Sequence, residues 1–379
     1  MLALRPRERP VPAEAAARDY FTAAELDRGR RFRGGQRRLG LARAGLRIAA
    51  LAALARRPPA RLSATARPVA AGAATAAALS AGLSLADLPG RALARERARR
   101  VGLVTQGWGG WAGDVAKGLV LETAVAAPSG AVATAGMRRY GRAWWIPAAA
   151  AAVAFGVLAT TVAPLLVDPL FNSFEPLAEG PLRRQVLALA DRAGVHVGEV
   201  YAVDASRRTT AANAYVTGLG PTKRVVLFDT LLRDFPAPDV RLVVDHELAH
   251  VRFRDVPRGL ALMALVAPPG ALAVARLGER LAAGAPPGPA ALPGLALAGA
   301  LLAPAVAAIA TQLSRAVEVR ADRFALELTG DAAALIAFER RVTVTNVIDP
   351  QPPALERLLA THPSTMERIG LALGAERGA

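Results

Sequence analysis

The sequence predicts a polytopic α-helical membrane protein with an embedded α+β catalytic region. Three observations predict it. Hydrophobic residues make up 53% of the 379 residues and gather into long Ala/Leu/Val runs, several near the roughly 20 residues that a helix needs to cross a bilayer. A polar stretch from Asp168 to Arg258 interrupts those runs. Within it lies DHELAH, Asp245 to His250, which holds two of the chain's four histidines.

Composition narrows the chemistry. No cysteine is present, which excludes disulfides and thiolate metal ligands, so any metal must be held by His, Asp or Glu. The formal charge is +16. Its arginines crowd beside apolar segments, where attraction to the lipid bilayer and the positive-inside bias account for them. No nucleic-acid partner is expected, because no base-reading motif accompanies the charge. Aromatics are only 5% of the chain, and the Ala/Arg/Gly/Pro bias fits a GC-rich genome.

In chain order, residues 1–38 form a basic cytoplasmic segment with no apolar core and cleavage site of the signal-peptide kind. Residues 39–167 make an N-terminal transmembrane bundle of about four spans. The first, Leu39 to Ala55, contains Arg43 and Arg47, which makes it a weak spanning candidate that reads nearly as well as an amphipathic surface helix. Val69 to Leu88 is bounded by Pro68 and Pro89, and a basic loop from Arg91 to Arg100 follows. Trp111 to Met137 carries Asp114, Lys117 and Glu122, so it either lines a polar chamber or begins later, with Asp114 and Lys117 at the interface. Ala143 to Val167 is the clearest span, with Trp144 and Trp145 as interfacial anchors.

Residues 168–259 are the catalytic region. Pro181 to Ala193 has helical periodicity; Val200 to Val203, Ala214 to Gly218 and Arg224 to Phe228 read as strands, the last two joined by a turn at Gly218 to Thr222. Asp239 is the expected cap of the DHELAH helix and Pro257 its end. An exposed strand edge beside such a helix suits an extended peptide. Residues 260–312 are a transmembrane hairpin, Leu260 to Leu277 and Leu292 to Gln312, with a Gly/Pro loop around Pro286 to Pro289 and kinks at Pro268, Pro269 and Pro304. Residues 313–379 return to the catalytic side.

On a helix, His246 and His250 share a face and can offer two imidazoles to one metal, while Glu247 sits about 100° round, close enough to reach a water on that metal. This HExxH spacing suits zinc, Zn2+, one per chain, with a third protein ligand and one position kept for water. Cobalt or manganese would bind similar ligands. Glu318, in SRAVEVRAD, can complete a His/His/Glu set, and Asp322, four residues on, can accept a hydrogen bond from a ligand histidine. His362 and Arg368, in THPSTMERI, are candidates for holding the oxyanion of the reaction. His196 has no such company and reads as structural.

The runs NAYVTGLGPTKRVVLFDTLL, DHELAH, SRAVEVRAD and THPSTMERI, with DPLFNSFEPL before them, together resemble the integral-membrane CAAX prenyl endopeptidases, type I zinc proteases of the gluzincin group. The resemblance extends from Asp168 to about Ile369 and is weaker at YFTAAELDRGRRF and WAGDVAKGL. It implies that His246, His250 and Glu318 bind zinc, that Glu247 is general base and acid, and that Asn213 contacts the substrate backbone. It further implies that His362 and Arg368 help hold substrate or transition state, with Asp322 supporting a ligand from behind. A bundle of spanning helices around a water-filled chamber is the implied fold. This sequence carries Ala249 and Val251 where relatives often have Gly and Trp.

The expected function is therefore a membrane-embedded zinc metalloendopeptidase acting on peptides or membrane-associated proteins, prenylated or not. It is expected in the cell membrane, multi-pass, with the site facing the cytoplasm. The rivals are a quality-control metalloprotease of the heat-shock type, a receptor-type sensor metallopeptidase, and a scaffold with a vestigial site.

Overall fold

The computed structural model describes residues 13–378 apart from residues 64, 219–222 and 283. Residues 1–12 of the basic segment and 219–222 of the expected turn lie outside the described residues. Thr22 and Glu25 form a reciprocal capping box that starts helix α1, Ala23–Arg56. Its amino-terminal half belongs to the head that also holds the sheet, where neighbouring Ala17 and Phe21 pack on Met366 and Ile369. Its carboxyl-terminal half buries Leu51 and Ala55 against Leu297 among the bundle helices. The Leu39 to Ala55 stretch is thus the far half of one long helix that links head to bundle.

Helix α2 (Pro68–Ala86) leads into α3 (Leu88–Arg100). The basic stretch expected as a loop is helical instead. After Gly90 it is built almost wholly of Ala, Leu, Arg and Glu, all strong helix formers, and Glu96 pairs with Arg99 and Arg100 along it. Helix α4 (Trp108–Tyr140) packs along α2 so closely that a Cβ added at Gly72 would lie 2.8 Å from the Gly130 carbonyl oxygen. Small residues let helix backbones approach this way inside membranes. Helix α5 (Trp145–Val162) continues through a π turn at Ala163–Val167, which contains Pro164, into α6 (Asp168–Phe171).

The head follows. Its sheet comprises β1 (Phe174–Pro176), β2 (Glu199–Val203), β3 (Ala214–Thr217) and β4 (Arg224–Phe228), in the order β1-β2-β4-β3. Strands β2 and β4 are parallel; the outer pairs are antiparallel. Central β4 is buried on both faces, which is why it reads as an unbroken apolar run from Val225 to Phe228 after Arg224. Helix α7 (Pro181–Arg192) precedes β2, and α8 (Asp229–Asp234) follows β4.

Helix α9 (Ala237–Arg252) carries DHELAH. Asp239 does not cap it: Pro236 stands at the cap position, and Asp239 lies inside the first turn, buried, accepting from Arg341 Nε at 2.8 Å. Nor does Pro257 end it. The chain leaves the helix at Phe253, Arg254 adopts φ +54°, and Pro257 falls in the first turn of α10 (Asp255–Leu281), where its missing N–H costs nothing. Helix α11 (Leu292–Thr329) runs unbroken from the bundle into the head and so delivers Glu318 and Asp322 on the same rod as the last span. Helices α12 (Ala332–Thr345), α13 (Ala354–Leu359) and α14 (Thr365–Gly378) close the head. One core ties it together: Val186 and Leu189 of α7, Val225 and Leu227 of β4, Val244 and Leu248 of α9, Ala325 of α11 and Leu335 of α12.

Among the described residues, five helical stretches are long and apolar enough to cross a membrane: Pro68–Ala86, Trp108–Ala143, Trp145–Phe171, Asp255–Leu281 and Pro289–Thr329. The arginine-bearing half of α1 is not one of them by composition, although it packs beside α11. Of the polar residues in α4, Asp114 accepts from Gln106 Nε2 at 2.6 Å and from Arg208 Nε at 2.8 Å, Lys117 donates to the Leu170 carbonyl at 2.6 Å, and Glu122 meets Ser84.

Candidate active site

The face of α9 turned from the core presents His246, Glu247 and His250 together. His246 Nε2 and His250 Nε2 are 3.3 Å apart; Glu318 Oε2 lies 3.2 Å from the first and Glu318 Oε1 3.7 Å from the second. Donors about 2.0–2.1 Å from a tetrahedral zinc are separated by about 3.4 Å, so the two imidazoles and the Glu318 carboxylate fit one such ion. Electrostatics point the same way. Each histidine spends its Nδ1 on a carboxylate, which leaves lone pairs on both Nε2 atoms facing the Glu318 oxygens. Glu318 Oε2 is buried with no hydrogen-bond partner among the described residues. Only a cation or a proton makes such a gap tolerable. Burial would push the His246 imidazole down, but the Asp322 and Glu318 carboxylates beside it outweigh burial and hold it up at about 10.

Behind the donors stands a second layer built twice. His246 Nδ1 donates to Asp322 Oδ1 at 2.8 Å, and Arg368 donates to both Asp322 oxygens at 2.8 and 2.5 Å while also pairing with Glu339. His250 Nδ1 donates to Asp255 Oδ2 at 3.0 Å; Asp255 is held by Arg320, whose guanidinium lies 4.2 Å above the Phe253 ring. In each case a carboxylate sets the tautomer and an arginine sets the carboxylate. The neighbouring carboxylates Asp322 and Glu339 outweigh burial and raise the Arg368 guanidinium above its usual range. Arg368 therefore reaches His246 through Asp322, and it also lines the cavity in front of the site.

Glu247 lines a cavity of about 540 Å³ together with His246, Asn213 and His362. Burial raises its carboxyl above the usual range, against the two histidines and a backbone hydrogen bond from Val216 of β3. His362 is 63% exposed in the loop before α14, its Nε2 3.3 Å from Glu318 Oε2 and its Nδ1 2.8 Å from Thr361 Oγ1. Asn213 is exposed at the entry to β3, the sheet's edge strand. The structure thus groups His246, Glu247, His250, Glu318 and His362, sets Asn213 in the lining of the same cavity, and places Asp322, held by Arg368, against His246 Nδ1.

His196 is exposed between α7 and β2, outside this cluster. Sequence reasoning missed Asp255, Arg320 and Glu339. Asp255 follows His250 by five residues, but the helix breaks between them, so no helical spacing reveals the contact. Arg320 and Glu339 carry no signal beyond being charges on helices.

Comparison with known proteins points to a metallopeptidase family. A family profile described as Peptidase family M48 matches residues 176–375, and one described as CAAX prenyl protease N-terminal, five membrane helices, matches residues 48–173. A Bacillus subtilis (strain 168) protein described as the uncharacterized metalloprotease YhfN is 34% identical over 242 residues, covering 62% of this chain and 57% of that protein. CAAX prenyl protease 1 of Saccharomyces cerevisiae is 41% identical over 95 residues, 25% of this chain and 21% of that one. The chain thus spans little more than half the length of the first relative and about a fifth of the second. The crystal structure of S. mikatae Ste24p shares the fold, with a TM-score of 0.81 at 21% identity over 98% of this chain and 93% of that one.

Proposed function

The chain belongs to peptidase family M48, and on that premise we propose that it is a membrane-embedded zinc metalloendopeptidase. The observation that carries the reading is the convergence of His246, His250 and Glu318 at tetrahedral-ligand separations with Glu247 beside them. Zinc bound there would polarise the scissile carbonyl and bring the pKa of a water near neutrality. The chain supplies the rest. Glu247 takes the proton from the attacking water and returns it to the leaving amine. The charge of a bound cation draws its raised carboxyl back toward the ionised form needed for the first step. His362 donates to the developing oxyanion. Asn213 and the free edge of β3 hold the substrate in extended form, while Asp322 with Arg368 and Asp255 with Arg320 keep the two imidazoles aimed.

The substrate is a peptide or a membrane-associated protein. CAAX prenyl proteases among the relatives support a prenylated one, and the heat-shock and receptor-sensor readings are not favoured by the same comparisons. The site faces the cytoplasm from the cell membrane. In support, the arginine-rich first half of α1 and α3 sit at the head end of the bundle, where Arg28 donates to the Val101 carbonyl at 2.8 Å and Thr105 to that of Ser206 at 2.7 Å.

The test is cleavage of a quenched farnesylated CAAX peptide and of unprenylated casein by the detergent-purified protein and its Glu247→Gln variant, with zinc quantified on both. About one zinc per chain in both, with cleavage by the wild type alone, is expected. Wild type without zinc would overturn the ligand assignment.

A further inference from the structure

Helix α12 ends in a turn that its sequence does not favour. Val347 N–H bonds to the Val344 carbonyl at 3.3 Å and Ile348 N–H to that of Thr343 at 2.9 Å. This paired pattern terminates helices when the residue after the cap is left-handed, a position glycine normally fills. Here it is Val347, at φ +48° and 2% exposed. A β-branched residue in that region is strained and persists only where its surroundings hold it.

The holding comes from α1. Arg33 Nε donates to the Val347 carbonyl and its Nη2 to the Asn346 carbonyl, both at 3.1 Å. One turn earlier Gly29 lies so close that an added Cβ would be 2.3 Å from the Ile348 carbonyl oxygen. The turn in turn aims Asn346 across the cavity. Its Nδ2 donates to the Ala212 carbonyl at 3.2 Å, and its Oδ1 accepts from the Ala212 N–H at 3.1 Å. Ala212 immediately precedes Asn213.

The residues on either side of Ala212 are held from elsewhere. Thr230 Oγ1 donates to the Ala211 carbonyl at 2.8 Å, and the Phe228 N–H to that of Asn213 at 3.1 Å. Both belong to the β4–α8 segment. Among the described residues, Asn346 reaches Ala212 from a different part of the cavity lining, the segment that continues to Ile348 and His362. An amide clamped by both its groups to the N–H and the C=O of one residue fixes distance and orientation together.

We propose that Asn346 is a positioning residue that sets the width of the substrate cleft, holding the edge strand at a fixed distance from the wall that carries His362, and that Arg33 and Gly29 of α1 hold Asn346 in place through the strained Val347 turn. The inference rests on the reading of β3 as the substrate-binding edge. It extends that reading by tying the geometry of the edge to a helix rooted in the bundle. Substrate affinity then depends on the α1 contact, while the zinc donors, on α9 and α11, do not.

The experiment compares wild type with Asn346→Ala, Asn346→Asp, Arg33→Met and the Arg33/Asn346 double variant. It uses steady-state cleavage of the peptide that the wild type cuts, zinc content, and hydrogen exchange of the amides of residues 212–217. Asn346→Ala should raise KM about tenfold, with kcat within about threefold and zinc unchanged, and should speed exchange at 212–217. Asn346→Asp keeps the acceptor and loses the donor, so it should fall between. Arg33→Met should raise KM less, and should add nothing in the Asn346→Ala background, since both act through one contact. Unchanged exchange in Asn346→Ala overturns the clamp, and this readout stands even if the wild type cuts no peptide and the peptidase reading itself fails. Faster exchange with unchanged KM overturns the role in substrate binding. A fall in kcat and zinc content together would make Asn346 a general structural residue and overturn the proposal.

Discussion

Replacing Asp322 by Asn tests the paired second layer directly. In the native chain its two oxygens, 1% exposed, receive three charge-assisted or aromatic N–H donors: His246 Nδ1 at 2.8 Å and two Arg368 nitrogens at 2.8 and 2.5 Å. Asparagine keeps one acceptor and turns an NH2 toward the other side. If its oxygen stays with His246, the NH2 confronts the Arg368 guanidinium; if it turns to Arg368, the histidine loses its tautomer anchor. Loss of a second-layer partner typically costs about 10- to 100-fold in metal affinity, about 1.4–2.7 kcal/mol. The charge-assisted bond lost to Arg368 adds about 1.5–3 kcal/mol to the cost in stability of the metal-free fold. The larger penalty for an unpaired buried charge is not incurred, because Glu339 still pairs with Arg368. The assay is zinc competition against a chromophoric chelator in detergent, with thermal unfolding of the metal-free protein alongside. A zinc affinity within about threefold of wild type would refute the claim that Asp322 orients His246.

Three further outcomes follow from the same geometry. Asp255→Asn should weaken zinc binding by a similar factor through His250, checked in the same titration, and an unchanged affinity would sever the Arg320–Asp255–His250 relay. Burial raises the Glu339 carboxyl to about 7, against the opposing pull of Arg368. Since an unfolded glutamate titrates near 4.3, the folded state holds a proton that the unfolded state releases between those values, and stability should fall as pH rises from about 4.3 to 7. Melting temperatures across that window should decline more in wild type than in Glu339→Gln, which is neutral throughout; parallel curves would contradict the raised carboxyl. Gly29→Ala should lower the melting temperature, since its Cβ would lie 2.3 Å from a backbone oxygen, at an overpacking cost of about 1–3 kcal/mol. Gly156→Ala, which meets only the flexible end of Met263, should be tolerated, and equal losses from the two would show that backbone proximity is not what matters.

Much of the fold and of the site is legible in the chain itself. Periodicity and run length carry the long apolar helices and the strands at Val200 and Arg224, because burial on one or both faces writes itself into residue order. The spacing of His246 and His250, and of Glu318 and Asp322, shows which pairs share a helical face, since four residues make about one turn. Zinc-type chemistry without thiolates follows from composition. Local order says nothing of what lies across a gap between elements. It suggests a loop at Arg91 to Arg100, a cap at Asp239 and a stop at Pro257, and it does not show which carboxylates hold Arg368.

Only the tertiary structure decides these, because each depends on a partner far away in sequence: Arg341 for Asp239, Asp322 and Glu339 for Arg368, Ala212 for Asn346. The convergence of three ligand atoms is of the same kind. Two donors come from one helix by local geometry; the third arrives on α11, and only the packing of α9 against α11 in a common core brings it within 3.2 Å. The sequence by itself determined which residue types and which local faces were on offer. Packing decided which faces meet, because the free energy of burial depends on the whole arrangement of elements and not on the order of residues within any one of them.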